Sequence, residues 1–286
     1  MGFKFENGKL YLMPVVFGPG GTPRQKPDGG RFIYDYPATV EQYKIVYEAD
    51  AEMLEKILPD GFKLWGPYLI ISFAENSNVP WLARKSYRIL HVEVPVHFKG
   101  KKNDIVGFFE PVLWENDGDC CKTGREMLGF AKVFGNIDNP NKNEGKYTGS
   151  ASTWGFKFIE AEFFPDEAPE CPGELENILA NPEFTGRLHF KYFPKTGDLT
   201  QPEIAYYTYS PYKWPMPEDL DTSSYPKPTR QFCRATMKWF RPEWEDAPTQ
   251  YHILQFFHDA GIKRFVGAAL TTAYPSDDLL DQQVIK

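Results

Sequence analysis

The chain is poor in the residues that commit a sequence to disulfide, metal or phosphate chemistry. It carries 4 cysteines in 286 residues. Cys120 and Cys121 are adjacent, an awkward pair to bridge to each other, and with Cys171 and Cys233 they form no CxxC spacing of the zinc type. Reduced thiols in a cytoplasmic chain are the simplest reading. The 5 histidines, His91, His97, His189, His252 and His258, are scattered, and the last two are spaced so that they do not share a helix face. No metal site is expected from such spacing. The glycine-rich dinucleotide fingerprint, the phosphate loop, the nucleophile elbow and the HExxH zinc motif are all missing, and no cofactor is expected.

An excess of positive charge is also lacking. Lysine and arginine number 32 against 39 acidic residues, a net charge of −7. A nucleic-acid partner requires a basic surface, so that class is set aside. The opening "MGFKFENGKLYLMP" places charges where a signal peptide has its apolar centre, and Glu6 stands where a myristoylation motif has Ser or Thr. The longest apolar run, around "YLIISFA", is far too short to span a bilayer, so no membrane partner is expected.

What the chain has in quantity is aromatic residues: 23 Phe, 16 Tyr and 7 Trp. These favour strands and line apolar pockets. Strand-like segments are expected at Tyr68–Ala74, Arg88–Phe98, Val106–Trp114, Thr153–Phe164, Arg187–Phe193, Glu203–Tyr209 and Phe232–Phe240, preceded by the alternating "YKIVYEAD". Helical pattern is sparse. "DAEMLEKILPDG" reads as a helix over Asp50–Leu58 with Asp50 as N-cap, and "GELENILA", "TQYHILQFFHDAG" and a turn near "DDLLDQQ" complete the set. Strands do not alternate with long helices. The expected architecture is therefore α+β: a mainly antiparallel sheet or barrel-type sheet with a few helices outside it. One domain over 1–286 is expected, with a Gly/Pro-rich loop at about 17–32 that is mobile or draped over the body.

Within "GREMLGFAKVFG" a single lysine, Lys132, stands among Leu128, Phe130, Ala131, Val133 and Phe134. An amine removed from water is more easily neutral, and a neutral amine can attack a ketone to form a Schiff base. The same pattern also suits a strand lysine that alternates outward and stays wet.

This stretch resembles the acetoacetate decarboxylase family, which carries Gly-Arg-Glu, then five residues, then its imine-forming lysine. Gly124, Arg125 and Glu126 match the triplet and Lys132 falls on the lysine. "YKIVYEADAEMLEKILPDGFKL", "VEVPVHFKG", "GFFEPVLWENDGD", "FKYFP" and "GIKRFVGAALTTA" are also similar to family segments, so the resemblance covers most of the chain. It implies the family's barrel-type fold and a homo-oligomer. It also implies a carbon–carbon lyase that acts on a small keto acid or ketone through an imine on Lys132, by default decarboxylating a β-keto acid. The departures are informative. A second lysine follows the first in the namesake decarboxylase, and here that position is Val133. Its arginine and glutamate have Val40 and Ile89 as their counterparts.

Candidate replacements follow from alternation along "YRILHVEVPV", which puts Ile89, His91 and Glu93 on one strand face, and from Glu110 in the strand before the triplet. Lys132, Glu93, His91 and Glu110 are thus the candidate catalytic set. Gly124, Arg125 and Glu126 are expected to hold the motif's geometry. Leu128, Phe130, Val133 and Ile89 are expected on the pocket wall. Two other functions stay open: aldolase-dehydratase chemistry through the same lysine, and non-catalytic binding of an apolar ketone or polyketide-like ligand.

Overall fold

The computed structural model of the chain describes residues 2–23, 25–30, 38–212, 227–273 and 282–286. The strands are β1 (Thr39–Glu48), β2 (Phe62–Leu64), β3 (Tyr68–Val79), β4 (Lys85–Lys99), β5 (Asp104–Glu115), β6 (Lys132–Phe134) and β7 (Asn136–Asn143). They continue with β8 (Lys146–Thr153), β9 (Phe156–Phe164), β10 (Gly186–Lys195), β11 (Asp198–Pro211), β12 (Thr229–Trp239), β13 (Arg264–Ala273) and β14 (Gln283–Ile285). Helices are α1 (Ala51–Glu55), α2 (Gly118–Thr123), α3 (Pro172–Leu179) and α4 (Tyr251–Ala260), and a π-helical turn over Gly124–Leu128 continues α2.

The strand order is β14-β11-β10-β5-β4-β3-β1-β13-β12-β9-β8-β7, with β2 added on β4 and β6 on β5. Pairing is antiparallel throughout except β10 with β5 and β6 with β5. Among the described residues the sheet is open and does not close into a barrel; its path ends at β14 and β7. β12 carries the chain between its two parts. Thr229–Cys233 pairs with β13 and Arg234–Trp239 with β9.

Alternation then sorts the side chains into two faces. Ile45, Ile71, Val92 and Val112 share one cross-strand row and enter the main core, where Ala151, Ile159, Phe163 and Ala235 of the other part meet them. The next row along, Lys44, Ser72, His91, Leu113 and Lys132, faces the opposite way. On that second face α3 packs Leu175 and Ile178 over Val46, Ile70 and Phe108.

Several helices match the sequence expectation. Asp50 Oδ1 accepts from the Met53 N–H at 3.0 Å and caps α1, which ends at Glu55, short of Leu58. α3 and α4 fall on the two expected segments. The expected turn near "DDLLDQQ" lies mostly outside the described residues, and Gln283 at its end opens β14. The expected strand Thr153–Phe164 is in fact the end of one strand and all of the next. Trp154 and Gly155 have φ of 51° and 85° and make a two-residue hairpin turn. Trp154 is not a residue that announces such a turn. α2 was not foreseen, because its 6 residues are too few to display a period. Of the Gly/Pro-rich loop, the described part bonds to the N-terminal segment, and Pro23 lines the cavity described below. Thr22 and Gln25 are buried, and the Gln25 side chain bonds Leu10 and Gly20.

Gln250, at the start of α4, ties these layers together. Its Oε1 accepts from Trp114 Nε1 at 2.7 Å, and its Nε2 donates to Phe134 O at 3.0 Å and Thr153 Oγ1 at 3.3 Å. Gln250→Leu keeps the volume and strands the buried indole N–H. It is expected to cost about 2–3 kcal/mol, read as a lower urea midpoint with an unchanged slope.

Candidate functional site

Lys132 opens β6, and its side chain enters a cavity of about 280 Å³ on the face opposite the main core. Gly124 and Arg125 determine its position. A Cβ on Gly124 would sit 2.3 Å from Lys132 Cε and 2.7 Å from Nζ, so the glycine makes the space the lysine occupies. Arg125 Nη1 donates to the Lys132 carbonyl at 2.9 Å and fixes its backbone. Gly129, at φ 88°, closes the π-helical turn by donating to Gly124 O at 2.9 Å. Lys191 Nζ donates to Glu126 O at 2.5 Å and Thr208 Oγ1 to Leu128 O at 2.8 Å, clamping the turn from β10 and β11.

The amine itself donates to Glu115 Oε1 at 2.6 Å and Cys120 O at 3.2 Å. Lys132 is 8% exposed and Glu115 0%. Burial pushes the Glu115 carboxyl above its ordinary range, against the opposing pull of Lys132. Glu115 Oε2 is buried without a hydrogen-bond partner, so the carboxyl retains an open site for a proton.

A second buried cluster lies further along the same face. Between β4 and β5 the register shifts, so that Val92 opposes Val112 while Val94 opposes Phe109. Glu93 therefore faces both Glu110 and Pro111, an extra residue characteristic of a β-bulge, where a proline without an N–H is tolerated. The bulge turns Glu110 onto the face of His91. His91 Nδ1 donates to Glu110 Oε1 at 2.6 Å. Arg187, brought alongside by the parallel pairing of β10 with Phe108 and Phe109, donates from Nε to Glu93 Oε1 at 2.5 Å and lies 3.4 Å from Glu110 Oε1. Its guanidinium stacks on Tyr212 at 5.2 Å.

Burial opposes ionisation of both carboxyls, yet opposite charges outweigh it. Arg187 and then Lys44 hold the Glu93 carboxyl below its usual range, and His91 and then Arg187 bring Glu110 down to about 2. Burial lowers His189 to about 4, so its ring is neutral near pH 7. His189 Nδ1 stands 3.4 Å from Glu110 Oε2 with no hydrogen bond joining them, and its Nε2 meets Ser210 Oγ at 3.2 Å.

Of the residues singled out in the sequence, Lys132, His91, Glu110, Gly124, Leu128, Phe130 and Ile89 line the cavity together. Four others do not line it. Glu93 is buried behind Arg187. Arg125 and Glu126 act from outside through backbone contacts. Val133, expected on the wall, alternates to the far face of β6 and packs against the main core. Sequence reasoning missed Glu115 and Arg187. Glu115 was within reach of it: Glu115 shares its strand face with Leu113, the cross-strand partner of Lys132. Arg187 had no local signal. Among the described residues no group of three or more His, Cys, Asp or Glu side chains is gathered as for a metal ion, and no helix is long and apolar enough to cross a membrane.

The profile of the family described as Acetoacetate decarboxylase (ADC) matches residues 13–214. An acetoacetate decarboxylase of Clostridium botulinum (strain Eklund 17B / Type B) is 25% identical over 157 residues, which is 52% of this chain and 62% of that protein. The chain's match thus spans about three-fifths of that relative's length. Similar folds include the acetoacetate decarboxylase of Legionella pneumophila, with TM-score 0.63 and 16% identity over 91% of this chain and 92% of the other. The enduracididine biosynthesis enzyme MppR, complexed with the condensation product of pyruvate and imidazole 4-carboxaldehyde, gives TM-score 0.62 and 15% identity over 93% and 97%. An acetoacetate decarboxylase-like enzyme of Sphingomonas wittichii RW1 gives TM-score 0.62 and 13% identity over 87% and 92%.

Two measurements check the geometry. Gly124 has ordinary helical backbone angles, so Gly124→Ala strains no backbone, while its methyl displaces the Lys132 side chain and leaves Glu115 buried without its cation. If the amine forms an imine with a ketone, reductive trapping should slow at least about tenfold, the effect of a small misplacement of a reacting group. His189 provides a pH test. Its folded pKa lies below the unfolded value, so the unfolded chain takes up a proton that the folded chain refuses, and stability falls as pH drops from about 6.5 through about 4. Urea unfolding should show about 2 kcal/mol less stability at pH 5 than at pH 7 from this group, a difference that His189→Asn removes.

Proposed function

The chain belongs to the acetoacetate decarboxylase family, and from that premise we propose that it is a lyase that forms a Schiff base between Lys132 and a small keto acid or ketone. The observation that carries the reading is the contact between Lys132, which lines the cavity, and Glu115, fully buried behind it at 2.6 Å, with the carboxyl's affinity for a proton raised by burial. No second lysine follows Lys132, so activation by a neighbouring cation in sequence is replaced by a neighbouring proton acceptor. When the proton of the pair resides on Glu115, the amine is neutral and attacks the carbonyl carbon. The carbinolamine then loses its hydroxyl as water, with the Glu115 proton, and leaves a protonated imine.

The default reaction is decarboxylation of a β-keto acid. The bond between the α-carbon and the carboxylate breaks, its electron pair moves into the imine, carbon dioxide leaves, and an enamine remains. The enamine takes a proton on carbon, and hydrolysis frees the ketone and Lys132. His91 is the group for that proton. Glu110, ionised down to about pH 2, accepts the Nδ1 proton and leaves Nε2 to exchange with the substrate. The same pair supports a second reading. A histidine held by a carboxylate can instead remove the α-proton of the imine, and the enamine can then add to an aldehyde, as in aldolase-dehydratase chemistry.

Lys132→Ala is expected to abolish both turnover and borohydride trapping, with the trapped ketone in the wild type mapping to Lys132 by peptide mass. Release of carbon dioxide from acetoacetate separates the first reading from the second, for which pyruvate and an aldehyde should condense without gas. Wild-type activity in Lys132→Ala would overturn both.

A further inference from the structure

Cross-strand register orders the cavity around the amine. Lys132 Nζ reaches toward Glu115, and Glu115 is paired across the sheet with Ile89, Ile89 with Ala74, and Ala74 with Gln42. One step further along β4, Tyr87 pairs with Asn76 and Asn76 with Val40. His91, Glu110 and Arg187 lie in the other direction. Same-face neighbours on a strand are about 6.6 Å apart, so the cavity's two ends are separated by roughly the length of a substrate substituent.

The ends differ in chemistry. Ala74, Ile89 and Leu113 form a buried apolar cluster with Val40 and Phe130 packed against it, separate from the main core; Leu113 borders His91, and Gln42, Asn76 and Tyr87 are the neutral polar side chains that line this end. All five of the apolar residues line the cavity. Trp81, on the turn after β3, adds an aromatic wall. The charged side chains that line the cavity among the described residues are Lys132, Glu110 and Arg187, and the last two belong to the opposite end. An apolar surface left open in a cavity gains free energy only when an apolar group covers it.

We infer that the substrate carries a branched-alkyl or aryl substituent on its carbonyl side, seated against Val40, Ala74, Ile89 and Leu113, with the reacting carbon turned toward His91. This deepens the Schiff-base reading and rests on it. A chain that handled only the smallest keto acids would leave this surface uncovered.

The test uses methyl ketones of matched electrophilicity: acetone, 4-methyl-2-pentanone and 4-phenyl-2-butanone. Each is incubated with the full chain and borohydride, and the concentration giving half-maximal adduct is read from intact mass. Each methylene buried contributes about a fourfold preference. The half-saturating concentration should therefore fall at least tenfold from acetone to the branched ketone, and stay low for the aryl one. Val40→Thr, which is nearly isosteric, and Ile89→Thr should each shrink the ratio between acetone and the aryl ketone. Should one variant fail to fold by circular dichroism, the other and the wild-type series decide. Equal or rising values along the series, or a ratio unchanged in a folded variant, overturn the inference and leave the Schiff base standing. No adduct at Lys132 with any ketone overturns the reading beneath it.

Discussion

Lys132 and Glu115 hold opposite charges, or share one proton, at 2.6 Å with almost no water around either. Taking two ionisable groups out of water costs several kcal/mol each unless the geometry compensates. The local structure supplies that geometry from several directions. The parallel pairing of β6 with Leu113–Glu115 sets the lysine's backbone beside the carboxylate's strand. Gly124 provides the room, Arg125 grips the Lys132 carbonyl, and the end of α2 offers Cys120 O as a second acceptor. A one-residue slip of β6 would send the amine into the main core in place of Val133.

β5 carries two buried carboxylates with opposite behaviour. Glu115 meets one cation and keeps an unpartnered oxygen, so burial wins and its proton affinity rises. Glu110 meets His91 and Arg187 together, so opposing charge wins and it stays ionised. The two environments push the carboxyls apart: one keeps its proton more readily, and the other stays ionised and bonds His91. The bulge at Glu93 makes the difference. Without the extra residue in β5, strict alternation would turn Glu110 away from His91.

The same face also explains why the charged groups do not collapse into one cluster. α3 and Phe184 seal the end beyond Glu93 with apolar contacts. Arg187 and Tyr212 stand between that seal and the cavity. Leu113 separates His91 from Lys132 in the sheet, so the imidazole and the amine reach the cavity as neighbours across an apolar residue. Glu93, though on the expected strand face, is used up in holding Arg187.

Period and residue type were enough to determine much by themselves. Alternation in Ile89, His91 and Glu93 reports direction relative to a pleated sheet, which is a local property of the backbone. The abundance of strand formers and the scarcity of helical pattern led to a mainly antiparallel sheet, and the triplet with its spaced lysine pointed to a lysine that lines the cavity. Closure of the sheet was not determined, because it depends on whether distant edges pair. Nor was the depth of any residue on its face. Glu93 and His91 share a strand and a face, yet only one lines the cavity, because Arg187 arrives from a strand about ninety residues away. Val133 was misplaced for a related reason: an apolar run reads the same whether its members face a pocket or a core. Glu115 needed the parallel pairing of β6 to become the lysine's partner. Direction along a strand is written in the chain, whereas the partner met in that direction comes from long-range pairing that only the tertiary structure decides.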